Sequence, residues 1–306
     1  MCNTGLLEMK IGYPCINRTL ACRGNKTFRL KSYGSNRLIS TIQNNLTCLQ
    51  DMLTFNIAHN LLFFRITSDL IPFASHPICT YPWQTHFQDT FQSLGDFIIT
   101  HQIRISMHPD QFTLLNSPDP QIFTRSVQEL SYHAQVLDLM QLNTTHKIQI
   151  HVGGKYDDKK KSMQRFIQRY NTLPSHITRR LVIENDDRIY TPSDCLAIHQ
   201  HTHIPLLYDC FHHEINPDQY TLSEALAQVA QTWTSQDGLP MIDYSSQEPQ
   251  MRSGKHAETL NQHHFKKFLR KSQPHDCDIM LEIKDKDISA RQALSIAQND
   301  PRLLTL

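Results

Sequence analysis

Several short apolar segments of this chain each end on a residue that can bind a metal ion. The residues at these ends are His108, His151, Glu184, Asp209, Asp243 and Glu282. Near-continuous apolar runs are typical of strands that are covered on both faces. In a barrel of parallel strands the carboxyl ends of the strands converge on one face, and that face carries the active site. The pattern therefore predicts a metal centre and an enzyme.

The strand candidates alternate with amphipathic helical segments along the chain. The predicted strands are residues 9–13, 61–66, 103–107, 147–152, 181–184, 204–209, 239–243 and 278–283. The predicted helices are residues 37–60, 87–101, 121–139, 158–170, 193–200, 222–233, 263–270 and 289–297. This alternation, without a break in composition, predicts a single α/β domain over residues 1–306, a (β/α)8 TIM barrel. An open doubly wound sheet is the alternative, but no strand is followed by a glycine-rich phosphate-binding sequence.

Composition narrows the classes of function. The chain has 30 Lys and Arg against 29 Asp and Glu, so any nucleic acid must be bound through a local basic patch. Residues 1–8 do not have the pattern of a signal peptide, and no apolar run is long enough for a membrane helix. The eight cysteines form no CxxC pair, and we expect all of them to be thiols in a reducing compartment. These features predict a soluble cytoplasmic protein that does not interact with membranes.

The strand-end residues are more informative together than singly. A lone histidine at a strand end is usually part of a hydrogen-bonded structure, but so many ligand types on one face favour a metal site. Carboxylates and imidazoles without thiolates suit Mn²⁺, Zn²⁺, Mg²⁺ or Fe²⁺. The number of ligands exceeds what one ion needs, which predicts two or three ions. Such a site suits phosphoryl chemistry, with sugar isomerisation as the competing reaction class.

Longer motifs along the chain resemble those of the UV damage endonucleases. They are residues 11–17 (IGYPCIN), 73–77 (FASHP), 106–112 (SMHPDQF), 150–154 (IHVGG), 182–187 (VIENDD), 209–213 (DCFHH) and 281–286 (LEIKDK). The resemblance extends from about Lys10 to about Ala297, so that residues 1–8 lie outside it.

This resemblance implies a barrel related to endonuclease IV and the xylose-isomerase-like enzymes. It implies a metal-dependent DNA repair endonuclease that recognises cyclobutane pyrimidine dimers, 6-4 photoproducts and abasic sites in double-stranded DNA. Incision on the 5′ side of the lesion would leave a 3′-hydroxyl and a 5′-phosphate. Two or three divalent ions are expected, with Mn²⁺ preferred and Mg²⁺ or Zn²⁺ as alternatives, in a monomeric enzyme.

The resemblance also assigns the metal ligands. It places them at His76, His108, His151, Glu184, Asp209, His212, His256 and Glu282. Of these, the residues expected to act in catalysis are Glu184, Glu282, His108, His151 and Asp209. Some family members end the seventh strand with Lys-x-His, whereas this chain has Met241 and Asp243. Met241 cannot be carboxylated as that lysine can, but Asp243 offers an oxygen ligand in place of the imidazole.

Contacts with DNA are implied by the same resemblance. Gln111 and Phe112 would enter the duplex at the lesion, and Tyr13 and Asn17 would contact the flipped nucleotides. Basic residues next to these motifs, expected to bind phosphates, are Arg18, Lys155 and Arg188. Three other functions remain as alternatives: a general abasic-site endonuclease, a metal-dependent sugar isomerase, and a protein that binds distorted DNA without cutting it.

Overall fold

The structure is a computed structural model that describes residues 9–304, so that the predicted N-terminal extension, residues 1–8, lies outside the described part. Its strands are β1 (Ile11–Pro14), β2 (Phe63–Ile66), β3 (Arg104–Met107), β4 (Lys147–His151), β5 (Leu181–Glu184), β6 (Leu206–Asp209), β7 (Met241–Tyr244) and β8 (Asp278–Leu281). Every neighbouring pair is parallel, and β8 pairs with β1, so the sheet closes into a barrel. The predicted (β/α)8 fold is confirmed.

Helices follow the strands around the barrel. They are α1 (Ser35–Ala58), α2 (Trp83–His86), α3 (Gln88–Thr100), α4 (Pro120–Leu139), α5 (Lys159–Tyr170), α6 (Ser175–Thr178), α7 (Pro192–Thr202), α8 (Cys210–Ile215), α9 (Leu222–Ala230), α10 (Gln262–Ser272) and α11 (Asp287–Ala297). Three of them, α2, α6 and α8, are short helices of four, four and six residues that the sequence periodicity did not predict, because so few residues carry no helical repeat. Within residues 9–304, no helix combines the length and apolarity needed to cross a membrane.

The strand register aligns the metal-binding candidates. His151 on β4 pairs with Glu184 on β5, and Asp209 on β6 pairs with Asp243 on β7. Side chains two residues apart on a strand share a face, so Gln149 points to the same side of β4 as His151. β1 and β2 approach closely, since a Cβ atom on Gly12 would lie 1.5 Å from the Phe63 carbonyl oxygen. The barrel therefore brings one row of polar side chains into its carboxyl end.

One expectation about the cysteines is wrong. Cys22 and Cys48 form a disulfide, with 5.6 Å between their Cα atoms, whereas Cys15, Cys79, Cys195, Cys210 and Cys277 are free thiols. The bond joins the loop after β1 to the middle of α1. The two residues are 26 positions apart, and sequence spacing alone does not reveal which cysteines meet in the fold.

Candidate metal centre

A first group of potential ligands joins β3, β4 and β5. His108, His151 and Glu184 place one ligand atom each within 4.8 Å of the others. The Nε2 atoms of His108 and His151 lie 3.4 and 4.0 Å from Glu184 Oε2. Glu184 is buried at the end of β5, and both histidines are partly exposed at the mouth of the barrel. One carboxylate thus faces two imidazoles at the carboxyl end of the strands.

A second group shares the same carboxylate. Glu184, Asp209 and His212 also place ligand atoms within 4.8 Å of one another. His212 Nδ1 lies 3.3 Å from Glu184 Oε1 and 3.3 Å from Asp209 Oδ2. Asp209 caps α8, because its Oδ1 accepts a hydrogen bond from the His212 backbone N–H at 2.7 Å. That short helix therefore fixes the Asp209 and His212 side chains next to each other.

A third group consists of carboxylates alone. Asp209, Asp243 and Glu282 meet the same 4.8 Å criterion, without a histidine. The guanidinium of Arg65, a residue of β2, lies against this group. Its Nη2 donates to Asp243 Oδ1 at 2.6 Å and to Oδ2 at 2.7 Å, while its Nη1 donates to Glu282 Oε1. The third group therefore already contacts a cationic side chain of the protein.

Arg65 and Gln149 are site residues that the sequence analysis missed. Gln149 Nε2 donates to Glu184 Oε2 at 2.9 Å and to Asp243 Oδ2 at 2.7 Å, so it links the first group to the third. Both residues interrupt apolar runs, in LLFFRI and KIQIH. Gln149 also precedes His151 by two residues, a spacing that puts both on one strand face. That spacing was the available signal for the polar interior.

The charges of the cluster are strongly coupled. Burial opposes ionisation of Glu184, but His151, His108 and His212 hold the pKa of this carboxyl well below its usual value. Burial raises the pKa of Asp243 to about 7, against the opposing effect of Arg65. Burial also opposes ionisation of Glu282, but the combined charges of Arg65, His256 and His108 lower the pKa of this carboxyl to about 2. The centre thus gathers acidic groups that attract cations.

Two of the histidines, His108 and His256, have one ring nitrogen held by a backbone carbonyl, as metal ligands usually do. His108 Nδ1 lies 2.6 Å from the Pro109 carbonyl oxygen, which leaves Nε2 facing Glu184. His256 Nδ1 lies 2.8 Å from the Glu282 carbonyl oxygen. A ring nitrogen held by a carbonyl fixes the tautomer and directs the other nitrogen at a metal. His151 Nδ1 is buried without a hydrogen-bond partner. This orphaned nitrogen and the mixed imidazole and carboxylate donors fit divalent ions.

Two histidines assigned by the resemblance lie outside the three groups found among residues 9–304. His256 is next to the cluster, with its ring centre 6.2 Å from that of His212 and its Nδ1 3.9 Å from Glu282 Oε2. His76 is exposed, and its Nδ1 accepts a hydrogen bond from the Ile78 backbone N–H at 3.1 Å. It lines a cavity of about 570 Å³ together with Phe112. His76 therefore borders the loop that follows β3.

The other DNA-binding candidates divide into exposed and buried residues. Gln111 and Phe112 are exposed in the loop after β3, and Phe112 is 71% exposed. Arg18, Lys155 and Arg188 are also exposed. By contrast, the Tyr13 hydroxyl donates to Asn56 Oδ1 in α1 at 2.8 Å and accepts from Asn17 Nδ2 at 2.9 Å.

Tyr13 and Asn17 are both buried, so the structure does not place them where DNA can touch them. Outward-facing strand residues of the barrel pack against helices, and Tyr13 is one of them. Asn17 Oδ1 accepts from the backbone N–H groups of Thr19 and Leu20, both at 2.8 Å. In the free protein the contacts of both residues support the loop after β1, and their contact with DNA stays a prediction.

Comparison with known proteins identifies the family of this chain. The UV-endonuclease UvdE family matches residues 9–298. The chain belongs to this family. It is 36% identical over 289 residues to the UV DNA damage endonuclease of Clostridium perfringens, covering 94% of this chain and 70% of that protein.

Solved structures agree with this assignment. The crystal structure of SacUVDE is 42% identical, with a TM-score of 0.92 over 96% of this chain and 100% of that one. The D-psicose 3-epimerase of Clostridium cellulolyticum, solved with D-tagatose, has a TM-score of 0.55 at 13% identity, over 82% of this chain and 92% of that one. The second likeness shows the shared barrel fold alone.

Proposed function

We propose that this protein is a metal-dependent DNA repair endonuclease that cuts beside UV photoproducts in double-stranded DNA. The observation that carries the proposal is the family match over residues 9–298, which includes all the ligand groups of the centre. The relative from Clostridium perfringens is named a UV DNA damage endonuclease. The proposed substrates are cyclobutane pyrimidine dimers, 6-4 photoproducts and abasic sites.

The centre supplies the ligands that such hydrolysis needs. Glu184 belongs to two of the three groups and Asp209 to two, so these two carboxylates would be central ligands of the bound ions. His108, His151, His212 and Glu282 would complete the ligand shells, with His256 and His76 approaching from the loops. Bound divalent ions activate water and stabilise the leaving oxygen in phosphodiester hydrolysis. Asp243 is the weakest candidate ligand, because its oxygens already accept hydrogen bonds from Arg65 and Gln149.

Lesion recognition is assigned to the loop after β3. Gln111 and Phe112 follow the ligand His108 by three and four residues and are exposed. An exposed aromatic ring next to a metal centre can stack in the gap that displaced bases leave. Damaged nucleotides are already poorly stacked, so opening the duplex there costs less than at normal bases. This loop would therefore couple recognition of the lesion to the position of the cut.

The exposed basic residues would hold the phosphates on both sides of the lesion. Arg18 follows β1, Lys155 follows β4 and Arg188 follows β5, all on the carboxyl side of the barrel strands. The chain has a net charge of only +1, so binding must depend on this local arrangement. We propose incision on the 5′ side of the lesion, with a 3′-hydroxyl and a 5′-phosphate as products.

A plasmid assay tests the proposal. Supercoiled plasmid, UV-irradiated or untreated, is incubated with the protein in Mn²⁺ or in EDTA, and nicked circles are quantified. We expect nicking of the irradiated plasmid in Mn²⁺. We expect no nicking of the untreated plasmid, and no nicking of either plasmid in EDTA. Equal nicking of both plasmids would remove lesion recognition from the proposal, and no nicking in Mn²⁺ would contradict it.

Defined duplexes separate the proposed enzyme from a general abasic-site endonuclease. One duplex carries a single cyclobutane dimer, a second carries an abasic site, and a third is undamaged. The proposal predicts cutting of both damaged duplexes. Cutting of the abasic duplex alone would support the general abasic-site endonuclease instead.

A further inference from the structure

The carboxylate group formed by Asp209, Asp243 and Glu282 contains a fixed cation. Arg65 is buried at the end of β2, and its guanidinium binds Asp243 through both carboxylate oxygens, at 2.6 and 2.7 Å. The same guanidinium donates through Nη1 to Glu282. A guanidinium is always charged in proteins, and here its two terminal nitrogens divide between two carboxylates, with Nη2 on Asp243 and Nη1 on Glu282. The positive charge in this group is therefore permanent and directional.

Asp243 has little remaining capacity to bind an ion. A carboxylate offers roughly four lone-pair positions. Arg65 takes two of them and Gln149 Nε2 takes a third, at 2.7 Å. Asp243 is completely buried, so replacing these donors by an ion would deprive a buried guanidinium of one of its two carboxylate partners. The contacts of Asp243 thus favour a structural pair over a ligand.

The ligand types of the three groups also indicate that the Asp209, Asp243 and Glu282 group does not bind an ion. Each of the other two groups includes at least one histidine, whereas this group has none. Two residues before Asp243, on the same face of β7, lies Met241, whose thioether is a poor ligand for hard divalent ions. A divalent ion in this group would also lie close to the like charge of Arg65. The ligands needed for an ion are therefore concentrated around Glu184.

We propose that Arg65 occupies the position of a third ion, so that the centre of this chain binds two divalent ions and uses the guanidinium as its third positive charge. The proposal rests on the proposed function, in which the cluster binds divalent metal ions. It makes Arg65 a positioning residue that keeps Asp243 and Glu282 in place. Unlike a bound ion, this charge is not removed by chelation or low metal concentration.

Metal stoichiometry tests the proposal without any measurement of activity. The full chain is stripped with EDTA and titrated with MnCl₂, and free Mn²⁺ is read from its electron paramagnetic resonance signal. Bound metal is counted independently by mass spectrometry after gel filtration in saturating MnCl₂. We expect two Mn²⁺ per chain. A count of three, or of one or none, would overturn the proposal.

Two variants at the same position sharpen the result. Arg65→Gln removes the charge and frees the oxygens of Asp243, so we expect a third Mn²⁺ to bind. Arg65→Lys keeps the charge, and we expect the count to remain at two. An Arg65→Gln protein that folds, as judged by circular dichroism, and still binds only two ions would contradict the proposal. If that variant does not fold, the count for the natural protein decides.

This experiment is independent of the nicking assay. A protein that binds two Mn²⁺ but cuts no DNA would contradict the proposed function and leave the role of Arg65 intact. A protein that cuts irradiated plasmid but binds three ions would support the proposed function and contradict the role of Arg65.

Discussion

Phe112 offers the sharpest test of how the protein recognises damage. Its ring is 71% exposed, and the backbone N–H of Phe112 donates to Asp110 Oδ1 at 2.6 Å. Phe112→Ala retains that backbone hydrogen bond and removes a ring that is mostly in water already. We therefore expect the free energy of unfolding to change by less than about 0.5 kcal/mol. A larger loss in DNA binding would then be due to the proposed contact of the ring with DNA.

The expected loss in DNA binding follows from stacking. An aromatic ring stacked on a base contributes about 1–3 kcal/mol, as measured by alanine substitution in other proteins. That range corresponds to a roughly 5- to 150-fold weaker binding of damaged duplex. Undamaged duplex offers no gap for the ring, so its binding should hardly change. Phe112→Ala should consequently lower the discrimination between the two duplexes by the same factor.

The assay is single-turnover nicking of a duplex with one cyclobutane dimer, over a range of enzyme concentrations. The half-saturating concentration reports binding, and the limiting rate reports the cutting step. Ile99→Ala is the matched control, because Ile99 is 54% exposed and lies beside Lys10 and Arg104, at the opposite end of the barrel. Equal effects of the two substitutions would refute the role given to Phe112. Phe112→Tyr should restore binding, because it restores the ring.

Three further predictions concern the centre and its support. Glu184→Gln removes the charge that two ligand groups share, and we expect nicking in Mn²⁺ to fall on the order of 100-fold or more, with an unchanged circular dichroism spectrum. Burial lowers the pKa of His146 to about 3, so the folded state holds this ring neutral while the unfolded chain protonates it below about pH 6.5. The free energy of unfolding, measured with urea, should therefore fall by about 2 kcal/mol between pH 7 and pH 5. His146→Asn should reduce this loss, whereas the control His263→Asn, at an exposed position, should not. The disulfide closes a loop of 26 residues, so the double substitution of Cys22 and Cys48 by Ser should cost about 3 kcal/mol and abolish the effect of reductant on urea unfolding.

The barrel could be predicted from sequence because its signal is repeated eight times. Each strand is a short apolar run, and its amphipathic helix follows at a similar distance, so errors in single boundaries do not change the topology. The short helices α2, α6 and α8 could not be predicted, since four to six residues are too few to show a helical repeat. The pairing of Cys22 with Cys48 likewise depends on how the loop after β1 returns to α1.

The candidate site residues could be predicted from the sequence where they are the last residues of strands or directly follow them. The convergence of His108, His151, Glu184 and Asp209 follows from the barrel alone, because parallel strands end on one face. Arg65 was missed because a charged residue inside an apolar strand becomes meaningful only when its partners are known. The role of Tyr13 in DNA binding stays a prediction. Its motif suggested a contact with DNA, but strand alternation turns its side chain toward Asn56 in α1.

The position of the cut tests most directly whether the protein is an endonuclease that incises DNA beside UV lesions. A duplex with one cyclobutane dimer and a 5′ label on the damaged strand is incubated with the protein in Mn²⁺, and the products are resolved at single-nucleotide resolution. We predict one cut immediately 5′ to the dimer, with a 3′-hydroxyl that a DNA polymerase can extend. No cut should appear in the undamaged duplex. Cuts at scattered positions, or a 3′ end that cannot be extended, would show that the protein does not incise DNA in the proposed way.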